Sequence, residues 1–358
     1  MQYYHASSLA HAVAKAGTFG ATRARSLAID RESSISAERV LLGDIGATNA
    51  RFALLTNGTL EPVKSFDVAS FARFTDAAAA FLKDNSREVE LTEALFAVAG
   101  PVENDRCQLT NCSWVIDAVE LNKAFGVKTH ILNDFEAVAR SLPSLAGRDV
   151  VPIGGGKPEN GAPMVVLGPG SGLGVACLVP GAENPVVVSS EGGHSTLAGA
   201  SDREDEIVKI LRRRFGHVSA ERVISGPGLE NIHQAISALD GRDLGPRSAA
   251  EITKAALAGG CETARAALDT FCAFLGSFAG SMALTFRARG GAFIAGGISP
   301  RIVDFMARSE FRERFEAKGR LRPYLESIPT YVIVHPAAAF LGLRSLFDRR
   351  ETPVTIER

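Results

Sequence analysis

The sequence predicts an α/β protein made of two related units. Residues 40–55 contain two β-prone runs around a turn rich in Gly, Asp and Asn, which is the pattern of a β-hairpin. Residues 164–179 repeat this strand–glycine turn–strand pattern in the second half of the chain. Because helical stretches and further strands follow each hairpin, we interpret the two halves as structurally equivalent α/β units.

The composition is that of an ordinary globular protein and excludes several classes of function. The 358 residues are 46% hydrophobic and 22% charged, with a formal net charge of −1. That balance offers no basic surface for nucleic acid, and no continuous apolar run reaches the roughly 18 residues of a membrane span. The five cysteines are scattered and form no C-x-x-C pair, which predicts neither disulfides nor zinc and favours a reducing compartment. The length fits about two domains.

Residues 1–39 are expected to form an N-terminal extension outside the folded units, and to be poorly ordered. No acidic residue occurs before Asp30, whereas Lys15, Arg23 and Arg25 are basic among many Ala and Ser residues. Organelle transit segments share this acid-poor character, but three basic residues are few for one. A disordered extension or a misassigned start is therefore favoured, and a targeting segment stays open.

The rest of the chain predicts alternating strands and helices. Strands are predicted at 94–99, 129–132, 185–188, 292–294 and 331–334, with a polar loop at 154–163. Helices are predicted at 71–82, 136–141, 202–215, 221–238, 249–257, 263–286 and 337–347. Gly276 and Gly280 lie four residues apart in the longest helix and should let a neighbouring helix approach closely.

Three glycine-rich turns, at 43–49, 168–174 and 295–298, each follow an apolar strand. Exposed backbone N–H groups in such turns bind anions, and the missing Cβ atoms let phosphate groups approach. The sequence has no P-loop, because the similar run Gly154-Gly-Gly-Lys157 continues into proline rather than a helix. A dinucleotide site also needs a helix after the glycines, whereas residues 175–179 are strand-like.

Asp44 begins an Asp-x-Gly-x-Thr sequence in the first turn, and the residues alone leave two interpretations open. In one, Asp44 holds a water-coordinated Mg²⁺, while Gly46, Thr48 and the neighbouring amides surround phosphoryl oxygens. In the other, the segment is a plain hairpin in which Asp44 caps the turn.

Six ordered motifs together resemble the bacterial glucokinase family. They lie at residues 40–55, 132–135, 168–174, 191–194 (Glu-Gly-Gly-His), 219–228 and 290–300. The resemblance runs from Val40 to the C-terminal helix and leaves out only the extension. One residue departs from the pattern, since Ala47 stands where the family usually has a second glycine. Its Cβ is tolerated if Ala47 has a negative φ.

The resemblance implies the two-lobed actin/hexokinase-like (ribonuclease H-like) ATPase fold, an α/β fold with an interdomain cleft for nucleotide and sugar. We expect a small lobe at 40–143, completed by the C-terminal helix near 335–350, and a large lobe at 144–334. The cysteine-rich zinc motif of related sugar-sensing repressors and kinases is absent, which argues against that branch.

Asp134 is the general base that the resemblance implies, accepting the proton of the glucose 6-hydroxyl. It follows the predicted strand 129–132, at the strand end where open α/β sheets bind ligands, and phosphorylation of a hydroxyl needs a carboxylate within hydrogen-bond reach. From the residues alone, Asp134 is more simply the N-cap of the next helix.

The resemblance also assigns the glucose contacts to Asn133, Glu191, His194 and Glu221. Fixed polar side chains suit a sugar, because each hydroxyl both donates and accepts. Glu221 lies near the start of a predicted helix, where a carboxylate has a capping role without any ligand. For Glu191 and His194, the alternative is a solvated loop.

The resemblance places MgATP against the glycine turns of both lobes. The expected contacts in the first lobe are Gly43, Asp44, Ile45, Gly46, Ala47 and Thr48, with Mg²⁺ on Asp44 through water. In the second lobe they are Gly170, Ser171 and Gly172 near the phosphates, and Gly296 and Gly297 near the adenosine. A glycine turn that merely packs a helix onto a strand is the alternative for the second-lobe turns.

The function implied is that of a cytoplasmic glucokinase, which uses ATP and Mg²⁺ to convert D-glucose to glucose 6-phosphate in the first step of glycolysis. Two alternatives stay open: a kinase for another hexose or an amino sugar, and a non-catalytic sugar-sensing regulator of the same fold. A heat-shock-like ATPase is disfavoured by the sugar-contact residues. Glucose and ATP are the expected partners, without nucleic acid or membrane, and the family suggests a homodimer.

Overall fold

A computed structural model describes residues 38–84, 90–109, 112–182 and 184–348 of the chain, and for Asp348 the backbone alone. These described residues belong to one compact unit. The predicted extension lies outside them except for Glu38 and Arg39, and Arg39 already begins the first strand.

The first half builds a six-stranded mixed sheet. Its first two strands form the central hairpin. The first strand also pairs in parallel with the fifth strand of the sheet, and the fifth pairs in parallel with the sixth. The strands are β1 (Arg39–Ile45), β2 (Asn49–Thr56), β3 (Thr59–Leu60), β4 (Lys64–Asp67), β5 (Glu93–Val98) and β8 (Lys128–Asn133), in the order β3-β2-β1-β5-β8 with β4 also on β2. A separate two-stranded ribbon joins β6 (Arg106–Gln108) and β7 (Val115–Asp117). The helices are α1 (Phe74–Asp84), α2 (Ala118–Phe125) and α3 (Asp134–Ser141).

The second half repeats this arrangement around its own hairpin. The strands are β9 (Val150–Gly154), β10 (Met164–Pro169), β11 (Leu173–Val179), β12 (Val186–Ser190), β13 (Gly291–Ile294) and β14 (Thr330–Ile333), in the order β12-β11-β10-β13-β14-β9. As in the first sheet, the first strand of the hairpin pairs in parallel with a later strand: β10 forms the hairpin with β11 and pairs in parallel with β13. Strand β13 pairs in parallel with β14. The predicted structural repeat is therefore confirmed.

Most of the helices follow in the second half. They are α4 (Asp202–Phe215), α5 (Gly226–Leu239), α6 (Ala249–Leu257), α7 (Glu262–Thr285), α8 (Val303–Met306), α9 (Phe311–Glu316) and α10 (Arg322–Glu326), and the chain's last described helix is α11 (Ala338–Asp348). The prediction for α5 is wrong at its start, because residues 221–225 form a turn and Ser225 caps the helix through a hydrogen bond from Gly228 N–H.

Helix α3 packs against both sheets. On the first sheet, its Ala137 shares an apolar cluster with β1 and with Phe340 and Leu343 of α11. On the second, its Ala139 joins a cluster with Val166 and Ala176. The start of α3 is therefore held between the two sheets, while α11 returns the chain to the first sheet. The lobe boundary at 143/144 stays a prediction.

The long helix α7 is mostly buried. By length and composition alone it could cross a membrane, but 67% of its most apolar window is buried inside the protein, as in a core helix. A Cβ on Gly276 or Gly280 would overlap the backbone of α9 at Phe311 or Phe315. The close helix approach predicted from the glycine spacing is thus confirmed.

Candidate active site

Asp44 lies within β1 and not in the turn, where the sequence analysis had placed it. The turn itself is short, because Gly46 N–H donates to Asn49 O over 2.9 Å. Side chains alternate along β1: Leu41 and Ile45 face one apolar cluster, whereas Leu42 faces the other, which contains α3 and α11. Asp44 therefore points to the face that carries α3.

Arg51 lies opposite Asp44 on β2, in the same register pair. Its Nη1 is 3.6 Å from Asp44 Oδ2, and the two side chains are 45% and 23% exposed. Burial raises the pKa of the Asp44 carboxyl, and the Arg51 guanidinium opposes that rise. The pair thus brings a permanent positive charge to the end of the first hairpin.

Asn133, and not Asp134, caps helix α3. Asn133 Oδ1 accepts the N–H groups of Phe135 and Glu136 over 2.9 and 3.3 Å, as an N-cap side chain does. Its Nδ2 donates to Gly100 O over 3.0 Å, which leaves one N–H of that amide. The capping role considered for Asp134 is therefore taken by its neighbour.

Asp134 is the first residue of α3, and its Oδ1 accepts the N–H of Phe135 over 2.9 Å. Oδ2 accepts no hydrogen bond from another residue in the part of the chain that the structure describes. Burial and, to a smaller extent, the nearby charges of Asp44 and Glu191 raise the pKa of Asp134 from 3.8 to about 7, although backbone hydrogen bonds act in the opposite direction. Near neutral pH this carboxylate can therefore accept a proton and later release it.

The second hairpin turn is held in place by Glu221. Its Oε2 accepts Leu173 N–H over 3.0 Å, directly after Gly172, and a Cβ on Gly172 would come within 2.6 Å of that oxygen. Glu221 does not cap α5, since it lies in the turn before the helix. The helix-start position inferred for it from the sequence is thus wrong, and Oε1 is left for another partner.

Glu191 and His194 lie on a short 3₁₀ turn that Glu221 also supports. Glu221 N–H donates to Gly193 O over 2.9 Å. The Glu191 and His194 side chains are 70% and 59% exposed, and His194 Nε2 is 3.9 Å from Glu191 Oε2. Glu191 is close enough to influence the pKa of Asp134, so this turn faces the start of α3.

The glycines expected to contact ATP divide into packed and open positions. Gly43 faces the ring of Phe96 in the core, where a Cβ would lie 2.6 Å from a ring atom, and Ile45 is fully buried. These two can contribute only through their backbones. A Cβ on Gly170 or Gly297, in contrast, would meet no atom within 4 Å.

The third glycine turn is attached to the end of β10. Ala295 N–H donates to Leu167 O over 2.7 Å. Gly296 has φ +82°, and a Cβ there would overlap Pro169 O. The turn that contains Gly296 and Gly297 and the turn that contains Gly170–Gly172 therefore meet at one edge of the second sheet.

Ala47 has no positive φ, since the described non-glycine residues with positive φ are Asn57, Asn104, Asp105 and Arg287. A side chain at this position is thus compatible with the backbone, as expected. The departure from the usual two glycines does not distort the turn.

Three residues that shape the site were not predicted from the sequence: Arg51, Gly100 and Phe135. Arg51 could have been found from the hairpin register, because it and Asp44 are equally distant from the turn. Gly100 supplies the carbonyl that holds the Asn133 amide. Phe135 could not be found in this way, because its ring contacts belong to strands distant in sequence.

The carboxylates fit a Mg²⁺ ion that is held largely by phosphate and water. Within the described ranges, no group of three or more His, Cys, Asp or Glu side chains could hold a metal ion. Mg²⁺ in kinases needs only one or two carboxylates beside substrate phosphates. Asp44 supplies one on the face shared with Asp134, where a cation would offset the repulsion between the two.

Comparison with known proteins gives consistent matches. The family model for glucokinase matches residues 41–350. The glucokinase of Paramagnetospirillum magneticum is 44% identical over 313 residues, which cover 86% of this chain and 97% of that protein. The crystal structure of a glucokinase from an Antarctic psychrotroph has a TM-score of 0.78 at 36% identity, over 87% of this chain and 99% of that one.

A ROK family glucokinase from Streptomyces griseus, solved in complex with glucose and AMPPNP, shares the fold alone. Its TM-score is 0.59 at 16% identity, over 87% of this chain and 98% of that one. The two repeated sheets, each with a glycine hairpin, and these relatives together define a sugar kinase of the two-lobed actin/hexokinase-like fold. Within that class, the chain belongs to the glucokinase family, whose activity is the ATP-dependent phosphorylation of glucose.

Proposed function

We propose that this chain transfers the γ-phosphoryl group of ATP to the 6-hydroxyl of D-glucose with Asp134 as general base. The observation that carries the proposal is the environment of the Asp134 carboxyl: its pKa is about 7, one oxygen is held by Phe135 N–H, and the second accepts no hydrogen bond from another residue of the described chain. A base with a pKa near the working pH combines a large unprotonated fraction with a useful affinity for the proton.

In the proposed step, Asp134 Oδ2 accepts the proton of the 6-hydroxyl as its oxygen attacks the γ-phosphorus. The new O–P bond forms as the bond to the β-phosphate oxygen breaks, so ADP leaves and the proton stays on Asp134. Transfer of this kind depends mainly on alignment and on charge stabilisation. The helix start holds the base in place, because Asn133 and Asp134 both accept backbone N–H groups there.

Four side chains are proposed to hold the glucose. Asn133 offers its remaining amide N–H, and Glu221 offers Oε1, since their other atoms are fixed by Gly100 O and Leu173 N–H. Glu191 and His194 are proposed to complete the set from the neighbouring 3₁₀ turn, where both side chains are exposed. Pre-fixed polar groups give selectivity, because a sugar that fails to match them leaves a buried polar atom unpaired.

The phosphates of ATP are proposed to lie between the two hairpin turns. The contacts would be Asp44, Gly46, Ala47 and Thr48 of the first turn, Gly170–Gly172 of the second, and the backbones of Gly43 and Ile45, with Gly296 and Gly297 near the adenosine. Mg²⁺ would sit on Asp44 through water and neutralise phosphate charge when bound. Arg51 adds a fixed positive charge beside it.

The small lobe (40–143 with 335–350) and the large lobe (144–334) are proposed to close on the substrates and exclude water. We also propose a cytoplasmic, homodimeric enzyme that binds neither nucleic acid nor membrane. The near-neutral charge balance supports the absence of a nucleic-acid partner, and sedimentation analysis tests the dimer.

The direct test is Asp134→Asn, assayed for glucose 6-phosphate formation from MgATP. We expect kcat to fall by about 10²–10⁴-fold, the usual contribution of a general base, while glucose still binds in calorimetry. Asp76→Asn is the matched control, since Asp76 is a carboxylate of α1 paired with Arg73 at the surface. Near-wild-type turnover by Asp134→Asn would refute the base assignment.

A further inference from the structure

The ring of Phe135 sits on a pair of glycines in the second sheet. Gly168 of β10 and Gly174 of β11 are directly opposite each other in the hairpin register. A Cβ built on either glycine would overlap the Phe135 ring, which fills the space above both. We call Gly168 and Gly174 the glycine seat.

The backbone N–H of Phe135 also holds Asp134, the residue proposed as the base. Phe135 N–H donates to Asp134 Oδ1 and to Asn133 Oδ1, each over 2.9 Å. That N–H also lowers the pKa of Asp134, since a hydrogen bond to a carboxylate favours its charged form. The orientation and the proton affinity of Asp134 both depend on where the Phe135 backbone lies.

The glycine seat lies at the two ends of the turn 170–172, which is proposed to contact the phosphates of ATP. Gly168 is two residues before Gly170, and Gly174 is two residues after Gly172. This turn is closed by Gly170 N–H donating to Gly172 O over 2.8 Å. The Phe135 ring thus contacts both ends of the turn proposed for the phosphates. The backbone N–H of Phe135 holds the carboxylate proposed to accept the proton.

We propose that Phe135 is a positioning residue that fixes the distance between Asp134 and the turn 170–172. The proposal rests on the proposed roles of Asp134 and of the turn 170–172. A displacement of about 1 Å at a reacting group costs on the order of 10²-fold in rate. A ring with glycine on both strands beneath it can approach the sheet more closely than any packing over side chains allows.

A purely structural Phe135 would behave differently. Its ring also packs against the apolar cluster of Ala139, Val166 and Phe293, so truncation costs stability in either case. Only a positioning role links that truncation to kcat and to the ionisation of Asp134. The experiment must therefore separate these readouts from stability.

The first variant is Phe135→Leu, which keeps an apolar side chain but loses the ring on the seat. We expect kcat to fall about tenfold or more, with a less than about threefold change in the KM for glucose. We expect the pKa of the Asp134 carboxyl to rise, because the hydrogen bond from Phe135 N–H loosens. Phe74→Leu is the matched control, since Phe74 is buried in the core on the other face of the first sheet.

The second variant changes the glycine seat and leaves Phe135 intact. Gly174→Ala places a methyl group where the ring lies, so kcat should fall even though Phe135 is intact. In the double variant Phe135→Leu with Gly174→Ala, the smaller side chain makes room for the methyl group. We expect the double variant to lose less activity than the product of the two single losses, because the two sites are in contact.

These outcomes separate the inference from the base assignment. If Asp134→Asn is inactive but Phe135→Leu keeps the wild-type kcat and Asp134 pKa, the positioning role is overturned and the base assignment stands. If Phe135→Leu loses activity only in proportion to its loss of folded protein, as Phe74→Leu does, the role is structural and the inference is also overturned. If Asp134→Asn keeps near-wild-type turnover, the base assignment is refuted, and the positioning role, which rests on it, is overturned with it.

Discussion

The two glycine hairpins occupy equivalent places in the repeated sheets, yet they carry different chemistry. The first hairpin presents charge, because Asp44 and Arg51 face each other beside its turn. The second presents backbone, since Gly170 is open and Gly172 lies against Glu221 of another segment. The same supersecondary unit thus presents a charged pair in one sheet and open backbone in the other.

The difference between the hairpins lies in what packs behind each one. Behind the first turn, Gly43 packs on Phe96 within one core. Behind the second, the glycine seat receives Phe135 from the helix that carries Asp134. The first hairpin is therefore stabilised within its own sheet, whereas the second is joined to the proposed base across the two sheets. Substitutions in the two hairpins should have different consequences.

The largest effect is expected from Asp44→Asn in the first hairpin. Loss of this carboxylate removes the proposed Mg²⁺ contact, so kcat with MgATP should fall by about 10²-fold or more. Glucose binding in the absence of ATP should stay within about threefold of wild type, because Asp44 is proposed to serve the nucleotide side alone. A variant with unchanged kcat would show that the first hairpin carries no catalytic charge.

Gly172→Ala in the second hairpin should have an intermediate effect. The new Cβ would come within 2.6 Å of Glu221 Oε2 and push that carboxylate from Leu173 N–H. Because Glu221 is proposed to hold glucose, the KM for glucose should rise about tenfold. Gly260→Ala is the control, since a Cβ there meets no atom within 4 Å and Gly260 lies in the loop between α6 and α7. Equal effects from both variants would show that Glu221 is not the cause.

The smallest effect is expected from Ala47→Gly, which restores the usual glycine of the first turn. Ala47 already has a backbone conformation open to any residue, so kcat and the KM for ATP should change by less than about twofold. Stability should fall slightly, by up to about 1 kcal/mol, because glycine adds freedom to the unfolded chain. A large gain in ATP affinity would mean that the Ala47 Cβ obstructs the nucleotide.

Most of the fold followed from local patterns, whereas the candidate site residues followed from the family resemblance and stay predictions. Both hairpins, the parallel strands after them and the long helix α7 were predicted within a few residues, because their apolar periodicity is strong. The start of α5 was wrong, although Ser225-Gly-Pro-Gly228 carries a helix-start signal of its own: Ser at the N-cap and Pro near the first helical position. The contact between Phe135 and the glycine seat could not be predicted, because it joins segments with no local pattern in common.

Asp134 is proposed to be a base whose pKa lies near 7, and a titration of its carboxyl group measures that pKa directly. In ligand-free protein labelled with ¹³C at the aspartate carboxyls, Asp134→Asn identifies the resonance by its disappearance. We predict a midpoint near pH 7, so that the carboxylate is increasingly protonated, and turnover lost, as the pH falls below 7. In Asp44→Asn the midpoint should move to lower pH, because a like charge has been removed. A midpoint near 4 in the wild-type protein would show that Asp134 is an ordinary carboxylate and not a base with a pKa near neutral.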